Sequence, residues 1–358
     1  MLQKLTLQNF RNYSKKTFGF SPGTTLIVGP NAVGKTNILE AVYALATGKS
    51  FRAETESEVI KTKQEAGVRS QEEVAKIYGT TEELGLEIIW DARNRFSKLY
   101  RVNGVGKRQM DFVGNLRCVL FSPQDIEIVA DSPSTRRRYL DSVLSLVHKD
   151  YRAAARIYEK ALRQRNRLLW LMREKRLSES ETRLEYWDEL LIANGKIIHE
   201  YRKKFLEFIN ELEEDFFPLT THYDHSIISQ IRLEKYAQEE LLAATTLIGP
   251  HRDDFIIYTN NRIVKSFGSR GEQRMAAFTL KLGELEYVTK IVGERPILLL
   301  DDIFSELDHE NRHRLLEVIP SQQTIMTTTD LHLVEKTHIK DFGLSFKKYV
   351  CNDLFKLI

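Results

Sequence analysis

Cysteine is scarce in this sequence: Cys118 and Cys351 are the only two among 358 residues, and they lie far apart. Two cysteines cannot build a disulfide framework, and these show no metal-ligand spacing. A reducing compartment, the cytoplasm, is the expected location. Long hydrophobic runs are missing too. The longest are strand-length, such as Ile297–Leu300, well short of the roughly 18 apolar residues a membrane helix needs. The opening from Met1 to Phe10 has no basic stretch followed by an apolar one, so no signal peptide is expected. Nor is one sign of charge in excess: 53 Lys+Arg stand against 50 Asp+Glu, a net +3. Any surface for a polyanion must come from local asymmetry.

Proline is absent between 134 and 216, and Gly195 is the only glycine there. That composition predicts a helical insertion. In its first part Arg152, Arg156, Lys160, Arg163 and Arg167 recur at helical spacing, within an arc of roughly 80°. Ala154, Ile157, Ala161, Leu168 and Met172 are expected on the opposite side. The next helix carries Trp187, Leu191, Asn194, Ile198, Tyr201, Phe205, Phe208 and Leu212, spaced alternately by four and three. So many aromatics suit an intramolecular helical hairpin better than an oligomeric coiled coil. Charge segregates along the insertion. Residues 131–176 hold 13 Lys/Arg against 5 Asp/Glu, and residues 177–217 hold 5 against 11. The near-neutral total hides this dipole.

The flanks read differently. Residues 2–8 alternate as a strand, and Thr24–Val28 is a β-branched strand running into a glycine-bearing loop. A helix follows, with Ile38, Leu39, Val42 and Leu45 on one face and Gly48 past its end. Asn103-Gly104 and Asn260-Asn261 mark hairpins within β-rich stretches. Residues 297–300 and 323–329 are expected to be later strands.

The loop Gly29-Pro30-Asn31-Ala32-Val33-Gly34-Lys35-Thr36 fits G-x-x-x-x-G-K-[ST] and lies between a strand and a helix, the context the motif requires. Inward backbone N–H groups and a helix N-terminus make such a loop a seat for phosphates. Lys35 would reach the β- and γ-phosphates of ATP, and Thr36 would offer its hydroxyl to Mg²⁺. A second half is Ile297-Leu-Leu-Leu-Asp301-Asp302, a buried strand ending in two carboxylates. Asp301 would hold Mg²⁺ through its water shell, and Asp302 would polarise an attacking water. The halves lie 266 residues apart (35 to 301), far more than a compact phosphate-loop domain needs. The helical segment fills the gap.

This layout resembles the ABC-type ATPase heads of SMC proteins and of the RecF family. The short insertion favours RecF, as do strings in matching order. They are Asn9-Phe-Arg-Asn-Tyr13, Gly48-Lys-Ser-Phe-Arg52, Phe121-Ser-Pro-Gln-Asp125, Arg136-Arg-Arg-Tyr-Leu-Asp141, Gly249-Pro-His-Arg-Asp-Asp254 and Asp301-Asp-Ile-Phe-Ser-Glu-Leu-Asp308. The resemblance implies an α/β fold: an ABC-type P-loop ATPase head built from both chain ends, residues 1–130 and 231–358, with a helical arm at 131–230. It implies that Gln124 senses Mg²⁺ and the γ-phosphate. Ser269-Arg-Gly271-Glu-Gln would be the signature motif that meets the nucleotide of a second copy, and Asp308 the acid near that interface. Arg11 and Asn12 would lie near the base. Ser269 with Glu272 also reads as a helix capping box. The loop has Ala32 where the family usually has glycine, and the 323–329 strand leads into Asp330 rather than the switch histidine of ABC transporters. His332 reads as a surface-loop residue.

The implied activity is a slow, DNA-dependent ATPase that acts as a switch. An ATP-dependent homodimer binds duplex or gapped DNA and, with RecR and RecO, assists RecA loading in recombinational repair. Arg136, Arg137, Arg152, Arg156, Lys160, Arg163 and Arg167 are the candidate phosphate-backbone contacts, with Arg138, Lys61 and Lys63 as additions. No sequence-reading DNA motif is visible. Two alternatives stay open: an SMC-like ATPase with another DNA-processing role, and the ATP-binding subunit of a transporter. The transporter predicts a switch histidine and no DNA affinity; a nuclease-coupled SMC relative predicts a further acidic metal cluster. The His251-Arg252-Asp253-Asp254 string is expected to be structural or switch-related.

Overall fold

The computed structural model describes residues 1–358 except 66–67, 94–95, 177–183, 213–217, 306, 308, 330–345, 351–355 and 358. Leu5 and Leu7 point into the core between exposed or half-exposed polar neighbours and define β1 (Lys4–Phe10), which turns through Arg11 and Asn12 into β2 (Tyr13–Gly19). β3 (Thr24–Val28) and α1 (Lys35–Thr47) follow. Ile38, Leu39, Val42 and Leu45 are all buried, as their spacing requires, and Gly48 closes the helix at φ 72 with its N–H on the Ala44 carbonyl. Next come β4 (Thr62–Glu65), β5 (Val68–Gln71), β6 (Val74–Thr80), β7 (Gly85–Asp91), β8 (Ser97–Val102), β9 (Val105–Lys107), α2 (Gln109–Phe112) and β10 (Cys118–Phe121). The β8–β9 turn is Asn103-Gly104, with φ 51 and 77, the left-handed pair that such a hairpin needs.

Four helices follow: α3 (Ile126–Ala130), α4 (Pro133–Val147), α5 (Lys149–Arg173) and α6 (Leu184–Glu211). Then come β11 (Thr220–Asp224), α7 (Gln230–Lys235), α8 (Ala237–Ala243), β12 (Asp254–Thr259), β13 (Arg262–Ile263), α9 (Val264–Phe267) and α10 (Arg270–Val292). The described chain closes with β14 (Ile297–Asp301), α11 (His309–Val318), β15 (Thr324–Thr328), β16 (Phe346–Val350) and β17 (Lys356–Leu357).

These elements form two compact units. The first holds residues 1–124 and 288–358. It contains an antiparallel sheet in the order β2-β1-β6-β7-β8-β9 and a second sheet in the order β10-β14-β15-β3-β16-β17. In the second sheet β10, β14, β15, β3 and β16 run parallel. Parallel strands are buried on both faces, which is why Ile297–Leu300 and Ile325–Met326 read as unbroken apolar runs.

The second unit holds residues 125–287, wider than the 131–230 expected for the arm. The reason is packing: Phe255, Ile257, Ala276, Ala277 and Leu280 share one core with residues of α4, α5 and α6. Within it α5 and α6 pack as the expected hairpin, and Leu191, Asn194, Ile198 and Phe205 are buried along the seam. The buried stripe of α5 is Tyr151, Ala154, Tyr158, Ala161, Arg165 and Leu169. That corrects the apolar face read from sequence, because Ile157 is exposed. Arg165 lies inside because its guanidinium reaches Asp188 at 2.5 Å and Glu240 at 2.7 Å.

Candidate functional site

The parallel sheet places β14, β15 and β3 side by side, with Asp301 level with Thr327 and Thr327 level with Ile27. Their carboxyl ends therefore share one edge, the usual location of a ligand in such sheets. The 29–34 loop leaves β3 there and feeds α1. Gly34 has φ 102, and a Cβ at that position would run into the Asn12 amide, so glycine is required. Ala32 has φ 65. An L side chain in that region costs about 1–2 kcal/mol, which explains the usual glycine at this position. Lys35 folds over the loop, its Nζ donating to the carbonyls of Gly29 (2.7 Å) and Pro30 (2.8 Å). The Thr36 hydroxyl donates to Asp301 Oδ1 at 2.8 Å. Residues 265 positions apart thus meet in one polar cluster at the N-terminus of α1.

Gln124 lies in the turn Pro123–Asp125 just after β10, the strand that pairs with β14, and its side chain is exposed. It stands beyond the same carboxyl edge as Asp301. Asp302 follows with φ 50, its N–H directed at Thr327.

Arg11 and Asn12 are at the loop, but their polar groups serve protein atoms. Arg11 holds the fully buried Glu40 through Nε and Nη2, with a closest distance of 2.6 Å, and donates from Nη1 to the Glu58 carbonyl. The Asn12 amide donates to the Val33 carbonyl at 2.9 Å and accepts from Asn37. The Tyr13 hydroxyl donates to the Gly34 carbonyl at 3.1 Å. Glu40 and Asn37, neither singled out from the sequence, and Tyr13, named there only as part of a string, thus brace the loop from outside. Only the helical position of Glu40, four residues after Thr36 and among apolar neighbours, hinted that a buried acid needed a partner.

In the second unit the capping box at the start of α10 is present. Glu272 N–H donates to Ser269 Oγ at 3.2 Å, and Ser269 N–H donates to the Glu272 carboxylate at 2.7 Å. That bond holds the Glu272 carboxyl below its ordinary range. Among the described residues, a Cβ on Gly271 would meet only Ser269 Oγ, at 3.9 Å, and nothing demands a glycine there.

The 249–254 string is a buried polar hub. Arg202 reaches Asp253 at 3.0 Å, Asp141 at 2.8 Å and the Pro250 carbonyl at 2.7 Å. Asp253 also accepts from Tyr223 and from the Ser226 N–H. His251 Nε2 lies 3.0 Å from the Thr246 carbonyl, which can only accept, so Nε2 carries the proton and Nδ1 accepts from Tyr158. Burial is the largest cause that brings the His251 pKa down to about 4. A histidine kept neutral in the fold contributes fully above its unfolded pKa of 6.5, and the contribution is lost as pH falls toward 4. The second unit should therefore lose up to roughly 3 kcal/mol between pH 7 and 4 through this group. Urea midpoints at several pH values read the loss; His251→Gln should flatten the profile, and an unchanged slope in that variant would contradict the assignment.

The hub also accounts for two candidate DNA contacts. Arg136 is buried, and both Nε and Nη2 are committed to Asp254, at 2.6 and 2.9 Å. Arg137 donates to the Asp253 carbonyl. Arg152 is half-buried and donates to the Ser145 carbonyl, and Arg138 donates to Thr135. A guanidinium already engaged in packing is a poor phosphate ligand, so Arg136 is corrected to a structural clamp. Arg156, Lys160, Arg163 and Arg167 are exposed along α5. Asp308, Asp330, His332 and Cys351 lie outside the described residues, as does the side chain of Lys63.

The family profile described as RecF/RecN/SMC N terminal domain matches residues 1–349. A DNA replication and repair protein RecF from Herpetosiphon aurantiacus is 38% identical over 360 aligned residues, covering 92% of this chain and 93% of the relative. Its counterpart from Shouchella clausii is 36% identical, with 92% of each covered. Among solved structures, the recombination mediator protein RecF with ATP, described in the RecFOR pathway, superposes with a TM-score of 0.86 at 31% identity, covering all of this chain and 97% of that one. An Smc head domain from Pyrococcus furiosus shares the fold, with a TM-score of 0.53 at 17% identity. The parallel sheet, its phosphate loop and these likenesses place the chain in the RecF family of DNA replication and repair proteins, with an ABC-type ATPase head related to those of SMC proteins.

Proposed function

We propose that this chain is an ATP-gated DNA clamp of recombinational repair. The observation that carries the reading is the 2.8 Å contact between Thr36 and Asp301 beside Lys35. A hydroxyl and a carboxylate so placed are the donor set that a Mg²⁺–nucleotide complex uses, the cation keeping several waters. When bound, Mg²⁺ would neutralise charge on the β- and γ-phosphates. Lys35 would leave its two carbonyls for those phosphates. Asp302 and Gln124 would orient the attacking water. The likeness to a RecF structure containing ATP supports the same site.

Ser269 and the N-terminus of α10 would receive the γ-phosphate held by a second copy, giving a head-to-head dimer with two shared nucleotides. Asp308 belongs to that proposed interface. Arg156, Lys160, Arg163 and Arg167 would track the phosphates of duplex or gapped DNA, giving affinity without sequence preference. Slow hydrolysis would reopen the dimer, so nucleotide shifts a population rather than driving a metabolic flux. The family membership supports work with RecR and RecO in loading RecA, and a cytoplasmic location. Among the described residues, no helix is long and apolar enough to cross a membrane.

The test is fluorescence anisotropy of a labelled duplex, titrated with protein without nucleotide, with ADP and with ATP. ATP should tighten binding several-fold. Lys35→Met removes a charge-assisted phosphate contact, worth about 1.5–3 kcal/mol or more, and should abolish the gain. Absence of DNA affinity in every state at low salt would discard the reading of this chain as an ATP-gated DNA clamp.

A further inference from the structure

We infer that Thr327 is the positioning residue for both carboxylates at the end of β14, setting which oxygen of Asp301 faces the cation and fixing the backbone of Asp302. The inference rests on the ATP–Mg²⁺ reading of the site. Thr327 sits on β15 directly across from Asp301 and is buried. Its hydroxyl lies 2.8 Å from Asp301 Oδ1; a carboxylate only accepts, so Thr327 donates. The same Oδ1 accepts from Thr36 at 2.8 Å. Among the described residues, both hydroxyl donors fall on one oxygen, which leaves Oδ2 for the water shell of a cation. The Leu300 carbonyl, at 3.4 Å, is the longer alternative for the single Thr327 proton.

The oxygen lone pairs of Thr327 do a second task. Asp302 N–H donates to Thr327 Oγ1 at 3.1 Å and to the Thr327 carbonyl at 3.2 Å. Asp302 has φ 50, a conformation that costs a non-glycine residue on the order of 1–3 kcal/mol and persists only where its surroundings hold it. One threonine thus donates to the first carboxylate and accepts from the backbone of the second. Outer hydrogen bonds of this kind orient a metal-binding carboxylate. Valine has nearly the same shape and would keep the packing of β15 while deleting both hydroxyl bonds, leaving the Asp302 N–H the backbone carbonyl of residue 327 alone.

The experiment separates nucleotide binding from cation binding. A fluorescent ADP is titrated in EDTA. The affinity for Mn²⁺ is then measured in the ADP complex by the paramagnetic resonance signal of free Mn²⁺. Wild type, Thr327→Val and Thr327→Ser are compared, each with a thermal melt. Thr327→Val should bind ADP in EDTA like wild type but hold Mn²⁺ about 10- to 100-fold more weakly, and Thr327→Ser should restore wild-type Mn²⁺ affinity. If Thr327→Val does not fold, Thr327→Ala against Thr327→Ser gives the same comparison. A hydroxyl that only stabilises β15 would lower the melting temperature and leave Mn²⁺ affinity in place; that result, or Thr327→Ser as weak as Thr327→Val, overturns the inference. If wild type itself binds no nucleotide, the ATP reading fails first and the inference falls with it.

Discussion

Arg202→Met should lower the unfolding free energy of the second unit by about 3–5 kcal/mol, the usual effect of removing one partner from a buried ion pair. The Arg202 side chain is almost fully buried, and its guanidinium serves Asp253, Asp141, the Pro250 carbonyl and the Tyr151 hydroxyl. Asp253 is 1% exposed. Methionine fills much of the volume, but it leaves that carboxylate, among the described residues, with Tyr223, the Ser226 N–H and no cation in contact. Because a domain is stable by only about 5–15 kcal/mol, the loss takes a large part of the total. Arg202→Lys keeps the charge and loses the fork that reaches two acids and a carbonyl at once, so it should fall between. Urea denaturation followed by tryptophan fluorescence and circular dichroism reads the difference; a shift under 1 kcal/mol for Arg202→Met would mean that the hub is already satisfied without its arginine.

Gly271→Glu should leave the monomer folded and remove ATP-dependent self-association. Among the described residues the space around Gly271 is open apart from Ser269 Oγ at 3.9 Å, and replacing glycine inside a helix gains roughly 0.5–1 kcal/mol of helix propensity. Stability should therefore hold or rise. A γ-phosphate approaching the N-terminus of α10 would meet a wedge and a negative charge. Like charges forced together cost several kcal/mol, so dimer affinity with ATP should drop by at least about 100-fold. Sedimentation velocity with and without ATP measures it directly. If Gly271→Glu still dimerises like wild type, this helix end is not the docking point for the second copy's nucleotide. Gly271→Ala separates bulk from charge, and should weaken the dimer less.

Much of this architecture is legible in the sequence. The phosphate loop was legible because its chemistry is local: strand, loop and helix follow one another without a break between Thr24 and Thr47, and Gly34 has no substitute. The β14 carboxylates were legible because a buried apolar strand ending in two acids is hard to explain otherwise. What escaped were polar residues turned inward. A pattern that puts charge outside cannot see Arg165 held between Asp188 and Glu240, and so it set the apolar face of α5 on Ile157. Arg136 looked basic and available, but Asp254, 118 residues away, had claimed it. The resemblance implied a place near the base for Arg11 and Asn12; what it did not reveal is that their side chains donate to Glu40, the Glu58 carbonyl and the Val33 carbonyl. Thr327 was hidden in a run of three threonines whose spacing gives no hint of which hydroxyl faces Asp301. Each missed partnership spans a long stretch of sequence, and residue type alone does not reveal such pairs.

The strand order has a consequence for the newborn chain. β3 is hydrogen-bonded on one side to β15 and on the other to β16, so both neighbours are synthesised last. At ~5–20 residues per second the ribosome needs roughly 15–60 s to travel from residue 28 to 324. For that whole interval Thr24–Val28, buried in the finished sheet, has no strand beside it. Residues 125–287 are contiguous and can collapse meanwhile as they emerge. The head thus waits for strands that lie beyond residue 296, and translation pauses or premature termination would release a chain with a folded arm and an unpaired, adhesive β-strand. Holding chaperones should engage this chain once β3 has emerged and let go only when β15 and β16 arrive.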